Sequence, residues 1–361
     1  MSVTRWGLAA AALAAMTGVL VAATAAEPSA DTIGAEAYTG TNPVGGGAGY
    51  DAIVRRPEVP VRTAEALLAA LKAAKKGDVV YVADGAEIDL TGHKKIAIPA
   101  GVTLASGRGR DGSPGGLVFT TDLDAMPLLE AGGPDVRLAG LRLRGPDPER
   151  RTEQMRRLGA EGRYYSIPNS DGIRSAHPGL AVDNCELSGF SHAAICLKKG
   201  GRAHVHHNHI HHNQRQGLGY GVSLDRAYAL IEANRFDWCR HHIAGTGRPG
   251  TSYEARFNEV GPNANGHSFD MHGGADRKDG TDIAGDRIVI HHNTFRAVNV
   301  PAVRIRGRPQ GGAEIHHNWF YHTDRGRAVR QSHSAEGLAV GDNRYGPPAP
   351  PEKMASEPPA K

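Results

Sequence analysis

The sequence predicts an all-β chain that winds as a solenoid, and the first reason is a six-residue frame that returns along its length. The frame reads apolar, x, x, Asn, x, apolar, as in residues 205–210, 231–236 and 290–295. Its fourth position is held by Cys185, Asn208, Asn234, Asn258, Asn293, Asn318 and Asn343, at steps of 23, 26, 24, 35, 25 and 25 residues. Such a period is typical of an array whose units bury their apolar faces on one another.

The second reason is the character of each unit. The repeats are short, carry β-branched residues at alternate positions, and are punctuated by Gly and Asn without a ten-residue helical pattern between them. These features fit leucine-rich and helical solenoids poorly and favour a parallel β-helix. Asn suits the corner of such a coil, because it tolerates left-handed backbone and its amide can bond the coils on either side.

The repeats resemble those of the right-handed parallel β-helix, pectate-lyase-like superfamily, over about residues 77–345. The resemblance implies a right-handed solenoid of about ten coils. It also implies a secreted polysaccharide lyase as the activity, although the superfamily includes hydrolases, epimerases and non-enzymes. Fold alone therefore leaves the reaction open.

The ends of the chain predict four regions. Residues 1–26 carry one charge, Arg5, and an apolar Ala-rich run with small residues before Glu27, which predicts a signal peptide and a secreted or periplasmic protein. An uncleaved membrane anchor is the alternative, and we expect no stable membrane insertion after cleavage. An extended lead-in should occupy 27–60, the β-helix 61–345 and a disordered Pro-rich tail 346–361.

Within the β-helix region, two segments depart from the repeat. Thr63 is a predicted N-cap, and Leu67, Leu68 and Leu71 fall on one helical face, which predicts an α-helix that caps the open N-terminal end of the solenoid. Residues 145–169 interrupt the repeat with a polar insertion, and such insertions often wall a binding cleft.

Charge and cysteine content narrow the partners. The formal net charge is +4 and gives no sign of a nucleic-acid partner, whereas an Arg-rich stretch at 296–330 favours an anionic ligand. Cys185, Cys196 and Cys239 are an odd set without C-x-x-C spacing, which favours isolated buried cysteines over one disulfide and a free thiol.

A second strand recurs between the Asn corners and can be aligned on its central apolar residue. The centres are Ile173, Ile195, Val222, Ile243, Phe269, Val303 and Val329. Because side chains alternate across a strand and coils lie about 4.8 Å apart, polar groups beside these centres should face one ligand together. The alignment gathers Lys198, Tyr220, Asp225, His242, His267, Asp270, His272, Arg304 and Arg306, with Arg240 nearby and Arg248 and Tyr253 on a Gly-rich loop.

A cationic face with Tyr and His suits a uronate polysaccharide cut by β-elimination. That reaction needs a group to neutralise the carboxylate, a base for the C5 proton and an acid for the leaving O4. We expect Tyr220 and His242 to form the acid/base pair, with Lys198 or Arg248 near the scissile bond. Substrate binding is expected from Arg240, Arg248, Tyr253, His267, Asp270, His272, Arg304 and Arg306.

Several alternatives stay open at this point. An epimerase shares the proton abstraction at C5. An inverting hydrolase needs two carboxylates, and Asp225 and Asp270 should lie two coils apart and out of register. A non-catalytic glycan-binding or structural β-helix is the third alternative.

The chain is expected to act as a monomer without a required cofactor. Calcium is possible, and His267, Asp270 and His272 beside His241 offer donors for a zinc-like ion. The runs at 206–207, 291–292 and 316–317 fit the repeat frame instead.

Overall fold

The computed structural model describes residues 33–332 and 337–348. The predicted signal peptide and most of the predicted tail therefore lie outside the described residues. Within them, four helices accompany the strands: α1 (Ala64–Ala73), α2 (Thr152–Ala160), α3 (Gly274–Arg277) and α4 (Arg325–Ala328). Two short 3₁₀ turns occupy Ala35–Ala37 and Arg110–Gly112.

The strands are short and follow one another in groups of three. In chain order they are β1 (Val79–Tyr81), β2 (Glu87–Asp89), β3 (Ile96–Ile98), β4 (Thr103–Ala105), β5 (Leu117–Phe119), β6 (Leu129–Ala131), β7 (Arg137–Ala139), β8 (Arg142–Arg144), β9 (Asp171–Ser175), β10 (Leu180–Asp183), β11 (Glu186–Ser188), β12 (Ala193–Leu197), β13 (Arg202–His206), β14 (His209–His211), β15 (Tyr220–Leu224), β16 (Tyr228–Glu232), β17 (Arg235–Asp237), β18 (His241–Gly245), β19 (Ser252–Arg256), β20 (Glu259–Val260), β21 (Phe269–Met271), β22 (Ile288–His291), β23 (Thr294–Phe295), β24 (Val303–Ile305), β25 (Ala313–His316), β26 (Trp319–Phe320), β27 (Val329–Gln331), β28 (Leu338–Gly341) and β29 (Arg344–Tyr345).

Every third strand joins the same parallel sheet, so each coil adds one strand to each of three sheets. The first sheet runs from β1 to β28 and the second from β2 to β29, each with 10 strands, while the third runs from β3 to β27 with 9 strands. All pairings between successive coils are parallel; Val205, for example, is the register partner of Val182 and of Ile231. The predicted all-β parallel solenoid of about ten coils is confirmed.

The Asn ladder forms the corner between the first and second sheets. Asn258 shows its chemistry: its Nδ2 donates to Ile231 O at 2.9 Å and to Asn293 Oδ1 at 2.8 Å. Its Oδ1 accepts from the backbone N and the Nδ2 of Asn234, both at 3.0 Å. The same pattern links the Asn residues from 208 to 343. The ladder therefore satisfies polar groups at buried corners that water cannot reach.

Helix α1 closes the N-terminal end of the solenoid as predicted. The Thr63 hydroxyl accepts a hydrogen bond from Ala66 N at 3.2 Å and so caps the first turn. Leu67 and Leu71 are fully buried in the same apolar core as the first coils. The three cysteines are all buried and free, as their spacing predicted.

The chain before α1 lies along the corners of the coils. Gly34 N donates to His317 O at 2.9 Å, Gly45 N donates to Ala233 O at 2.8 Å, and Gly47 N donates to Asn184 Oδ1 at 2.7 Å. We name residues 34–50 the N-terminal strap. It covers corner residues with positive φ, His317 and Asn184 among them, whose carbonyl and amide groups face outward. The sequence predicts an extended lead-in here, but it gives no indication of these contacts with the corners.

The insertion at 145–169 is tied down by one buried ion-pair cluster. Arg215 is 1% exposed, and its Nε donates to Asp147 Oδ2 at 2.6 Å while its Nη1 donates to Pro168 O at 2.7 Å. Arg151 bonds the other Asp147 oxygen at 2.5 Å. The insertion, which includes α2, is thus held in a fixed place beside the third sheet. Among the described residues, no helix combines the length and apolar character needed to cross a bilayer.

Candidate functional site

An open cleft of about 220 Å³ lies on the outer face of the third sheet. Four residues singled out from the sequence line it: Lys198, Tyr220, Arg248 and His272. The strand alignment that grouped them is also confirmed, because Ile195, Val222, Ile243, Phe269 and their equivalents are register partners in successive coils. The remaining lining residues are His192, Ser223, Ala244, Gly245, Thr246, Asp276 and Arg277.

His242 does not reach this cleft, and its predicted pairing with Tyr220 is wrong. The backbone N–H groups of His242 and Ile243 both donate to Ser268 O, at 2.8 and 3.2 Å, which is the mark of a β-bulge. The bulge breaks the alternation of sides just before the strand centre. The His242 ring therefore points into the core, fully buried, with its centroid 5.7 Å from that of Phe236.

The environment of His242 is apolar, and burial lowers its pKa to about 4. Neither ring nitrogen has a hydrogen-bond partner within the described residues. The equivalent position one coil earlier is Gly221, where an added Cβ would lie 3.2 Å from the Phe236 ring. Both positions thus face inward, so His242 is a neutral core residue.

Tyr253 is a second sequence prediction that the structure overturns. It was expected on the Gly-rich loop after β18, but that loop ends at Thr251, and Tyr253 belongs to β19. Its side chain is 1% exposed and lies in the core between Ala229 and Ile288, its register partners. Substrate binding by Tyr253 is therefore excluded by its position.

The wall of the cleft contains a stack of aromatic rings that crosses three coils. Tyr220 and His241 are near parallel, with centroids 5.7 Å apart, and His241 and His267 are 5.6 Å apart. Burial raises the pKa of Tyr220, so its phenol keeps its proton at neutral pH. Burial lowers the pKa of His241 to about 3, and its Nδ1 donates to His267 O at 2.5 Å. The stack presents a proton donor, Tyr220, to the cleft.

His192 also lines the cleft, although the sequence did not predict it as a site residue. Its Nδ1 donates to Asp171 Oδ1 at 2.5 Å, and Arg174 binds the other oxygen of this fully buried carboxylate at 2.6 Å. Burial alone would lower the pKa of His192, but the ion pair with Asp171 outweighs it and raises the pKa to about 10. His192 is consequently an imidazolium at neutral pH, edge-on to the Tyr220 ring at 5.4 Å.

Asp270 is the hub of a cationic cluster and is not exposed to solvent. Arg306 binds it through two bonds, Nε to Oδ1 at 2.9 Å and Nη2 to Oδ2 at 2.7 Å. His272 and His267 lie 3.2 and 3.5 Å from its oxygens. His267 can share this carboxylate with His272 because it precedes β21, where strand alternation does not apply. Burial opposes the charge of Asp270, yet these partners hold its pKa well below the usual range.

The two arginines predicted to grip uronates have other partners. Arg306 is committed to Asp270 and to Asp276, 3.2 Å away. Arg304 donates to Ser332 Oγ at 2.7 Å in the next coil. Both lie beside the cleft without lining it.

Arg248 lines the cleft and is held by Asp225, which does not line it. Arg248 Nη1 is 3.3 Å from both oxygens of Asp225, which also accepts a hydrogen bond from Thr246 Oγ1 at 3.1 Å. Partial burial would raise the pKa of Asp225, but Arg226, Thr246 and Arg248 together lower it. Arg248 is about half exposed and so still faces the solvent side of the cleft.

A neighbouring hollow of about 220 Å³ lies across the aromatic stack. It is lined by Arg150, Tyr164, Gln216, Gly217, Arg240, His241, Asn265, Gly266 and His267, so the insertion supplies part of its wall as expected. Arg240 and His267 thus face this second hollow and not the cleft itself. The cleft and this hollow lie on either side of the stack formed by Tyr220, His241 and His267. Together they give the outer face of the third sheet an elongated cationic surface.

Metal donors occur near the cleft, but arginines already hold the carboxylates. His241, His267 and Asp270 offer ligand atoms within 4.8 Å of one another, as do Asp171, His192 and Cys196. Arg306 binds Asp270 and Arg174 binds Asp171. An ion at either place would have to displace a guanidinium, so the donor sets near the cleft fit a metal poorly.

Comparison with known proteins supports the fold. Residues 169–344 match the family model described as a right handed beta helix region. An alginate lyase from Paenibacillus sp. strain FPU-7 superposes with a TM-score of 0.56 at 17% identity, covering 80% of this chain and 95% of that one.

Two further solved structures superpose with lower scores. An exopolygalacturonase of family 28 from Yersinia enterocolitica gives a TM-score of 0.38 at 10% identity, covering 79% of this chain and 75% of that one. The A-module of a mannuronan C-5 epimerase from Azotobacter vinelandii gives 0.38 at 11% identity, covering 79% and 95%. No curated protein sequence matches the chain. The coil geometry and the family match agree: this chain is a right-handed parallel β-helix protein.

Proposed function

We propose that this protein is a polysaccharide lyase that cleaves a uronate-containing chain by β-elimination in the cleft on the third sheet. The observation that carries the proposal is the composition of that cleft. Tyr220 as a protonated tyrosine, Lys198, and two cations, His192 and Arg248, line one open groove. An open, elongated, cationic groove suits a polymeric anion.

Lys198 and Tyr220 divide the proton transfers. Within residues 33–332 and 337–348, the Lys198 ammonium has no carboxylate partner, so no ion pair ties its nitrogen to a structural role. Lys198 is the base that removes the proton at C5. Tyr220, whose pKa burial raises, donates a proton to O4 as the C4–O4 bond breaks and the C4–C5 double bond forms. The products are an unsaturated uronate and a new chain end.

His192 and Arg248 neutralise the substrate carboxylate. Removal of the C5 proton places negative charge on that carboxylate, and a fixed cation beside it stabilises the transition state. Asp171 keeps His192 charged and oriented from beneath, because the pair is buried and hydrogen bonded. Arg248 lies on the opposite wall. This replaces the earlier expectation that Arg304 and Arg306 perform this task.

The carboxylates near the cleft argue against a hydrolase. Glycoside hydrolysis requires one carboxylic acid that keeps its proton to protonate the leaving group. Burial opposes ionisation of both carboxylates, yet Arg226 and Thr246 lower the pKa of Asp225, and His267 and His272 lower that of Asp270. They also lie two strand steps apart in the third sheet, since Ser223 pairs with Ala244 and Ala244 with Asp270. Neither can serve as the general acid.

The test is an absorbance assay with the mature protein. Alginate, pectate, hyaluronan, chondroitin and glucuronan are each incubated with enzyme, and the ultraviolet absorbance of unsaturated uronate is followed. We expect absorbance to rise with at least one polymer. New reducing ends without absorbance would indicate hydrolysis instead. Proton exchange at C5 without cleavage would indicate an epimerase, and the absence of all three signals would favour a binding protein.

Paired variants localise the chemistry. Tyr220→Phe and Lys198→Gln should each lower kcat by about 10²- to 10⁴-fold, as expected for a lost proton-transfer group. Tyr228→Phe and Lys199→Gln are matched controls, because Tyr228 lies on the first sheet and the exposed Lys199 does not line the cleft. Full activity in both Tyr220→Phe and Lys198→Gln would rule out this assignment. A chelator arm tests for calcium dependence.

A further inference from the structure

A cluster of three metal-ligating side chains lies on the second sheet, away from the cleft. His209 and His211 sit two residues apart on β14, so both side chains leave the same face. Glu186 on β11 is the register partner of His209. The three offer one ligand atom each within 4.8 Å of one another, and all three are partly exposed.

The carboxylate here differs from those near the cleft. Asp171 and Asp270 are each hydrogen bonded to an arginine, whereas Glu186 bonds His211 Nε2, 3.4 Å from Oε1. Arg108 acts on Glu186 electrostatically, without an ion pair between them among the described residues. His209 adds an imidazole to whose ring nitrogens the described residues give no hydrogen bond. Strand register therefore brings two imidazoles and a carboxylate together on one face of the second sheet.

The orientation of His211 fits a metal ligand. Its Nδ1 lies 2.8 Å from His212 Nδ1, so one of the two nitrogens donates a proton to the other. His211 Nε2 faces Glu186 Oε1 at 3.4 Å, and when His211 Nδ1 is the donor, Nε2 offers its lone pair to an ion shared with that carboxylate. A ligating histidine commonly donates its other ring N–H to a neighbour in this way, which fixes the tautomer.

We propose that Glu186, His209 and His211 bind a divalent first-row transition ion such as Zn²⁺ or Cu²⁺. Imidazole and carboxylate donors suit these ions, and a set of two histidines and one carboxylate leaves further coordination positions open. The site does not depend on the proposed lyase activity, because it lies on the second sheet and the cleft lies on the third.

The chain carries a natural reporter for this site. The His212 ring stacks on Trp238, with centroids 5.6 Å apart and planes at 18°. Trp238 is thus linked to the site through His212 and its contact with His211. Bound Cu²⁺ should quench Trp238 fluorescence, and Trp238→Phe should remove that quenching while the calorimetric affinity changes little.

The test is calorimetric titration of the chelator-treated full chain with Zn²⁺. We expect one ion per chain, and loss of that site in the His209→Gln/His211→Gln double variant. His212→Ala should weaken binding by roughly 10- to 100-fold, as for other groups that orient a ligand. Circular dichroism establishes that each variant is folded.

The matched control is His316→Gln. His316 is also half of a histidine pair, with its Nδ1 2.8 Å from His317 Nδ1, but it belongs to no three-ligand group among the described residues. Binding by this variant should equal that of the wild type. The proposal is overturned if the wild type binds no stoichiometric Zn²⁺, or if the folded double variant binds it equally well.

Discussion

Replacing Asn258 by Ala measures what one rung of the Asn ladder contributes to stability. The side chain is fully buried and makes four hydrogen bonds, two through Nδ2 and two through Oδ1. The substitution leaves Asn234 N and Ile231 O without their hydrogen-bond partners, at a buried corner that water cannot reach. At about 1 kcal/mol net for each lost bond, the free energy of unfolding should fall by roughly 4 kcal/mol.

The assay is urea unfolding followed by circular dichroism, with the slope of the transition compared between variants. Asn299→Ala is the matched control, because Asn299 is exposed and makes one bond, to Ala264 O at 3.2 Å. Its effect should stay within about 0.5 kcal/mol, as for most surface changes. If Asn258→Ala lowers the free energy of unfolding by less than about 1 kcal/mol, the Asn ladder does not stabilise the stacked coils.

Three further predictions concern two buried ion pairs and the buried ring of His242. The raised pKa of His192 stabilises the fold below about pH 6.5, and this contribution disappears as the pH rises to about 10; Asp171→Asn should flatten that part of the urea midpoint profile. Arg215→Met leaves Asp147 with one fewer cation, and should cost about 3–5 kcal/mol and speed proteolysis within the insertion. His242→Leu should keep stability and whatever activity the absorbance assay detects, because the ring makes no hydrogen bond in the described structure; a loss of activity alone would contradict the core assignment.

The coil geometry was predictable because its physical cause repeats. Each Asn must bond the next coil, so the frame recurs at nearly constant spacing and is visible in a single sequence. The apolar strand centres recur with it, which fixed the register of the third sheet and placed Lys198, Tyr220, Arg248 and His272 on one cleft.

The errors have local causes that no period reveals. His242 faces inward because the alternation of sides fails just before Ile243, where the N–H groups of His242 and Ile243 share Ser268 O. Such a break depends on backbone bonds and not on residue type. Arg306, expected to bind substrate, pairs with Asp270 because its long side chain, two residues beyond the register partner of Asp270, reaches back to that carboxylate.

The site residues that were not predicted have weaker signals in the sequence. Asp171 is the register partner of Ala193, which pairs with Tyr220, so the alignment on Ile173 already placed this carboxylate in the Tyr220 column. His192 precedes that column by one residue and carried no comparable indication. The metal donors Glu186, His209 and His211 were concealed because they lie on the second sheet, whose columns were not aligned.

The N-terminal strap changes how this molecule can come apart. A plain solenoid is a one-dimensional stack in which coils at the ends can fray independently. Here Gly34 bonds His317 and Gly47 bonds Asn184, so the strap spans the corners of several coils at once. Peeling the last coils away requires lifting a segment that also holds the middle ones. The strap precedes its partners in the chain, so it can dock only after those later residues have folded, and it then couples the coils into one cooperative unit.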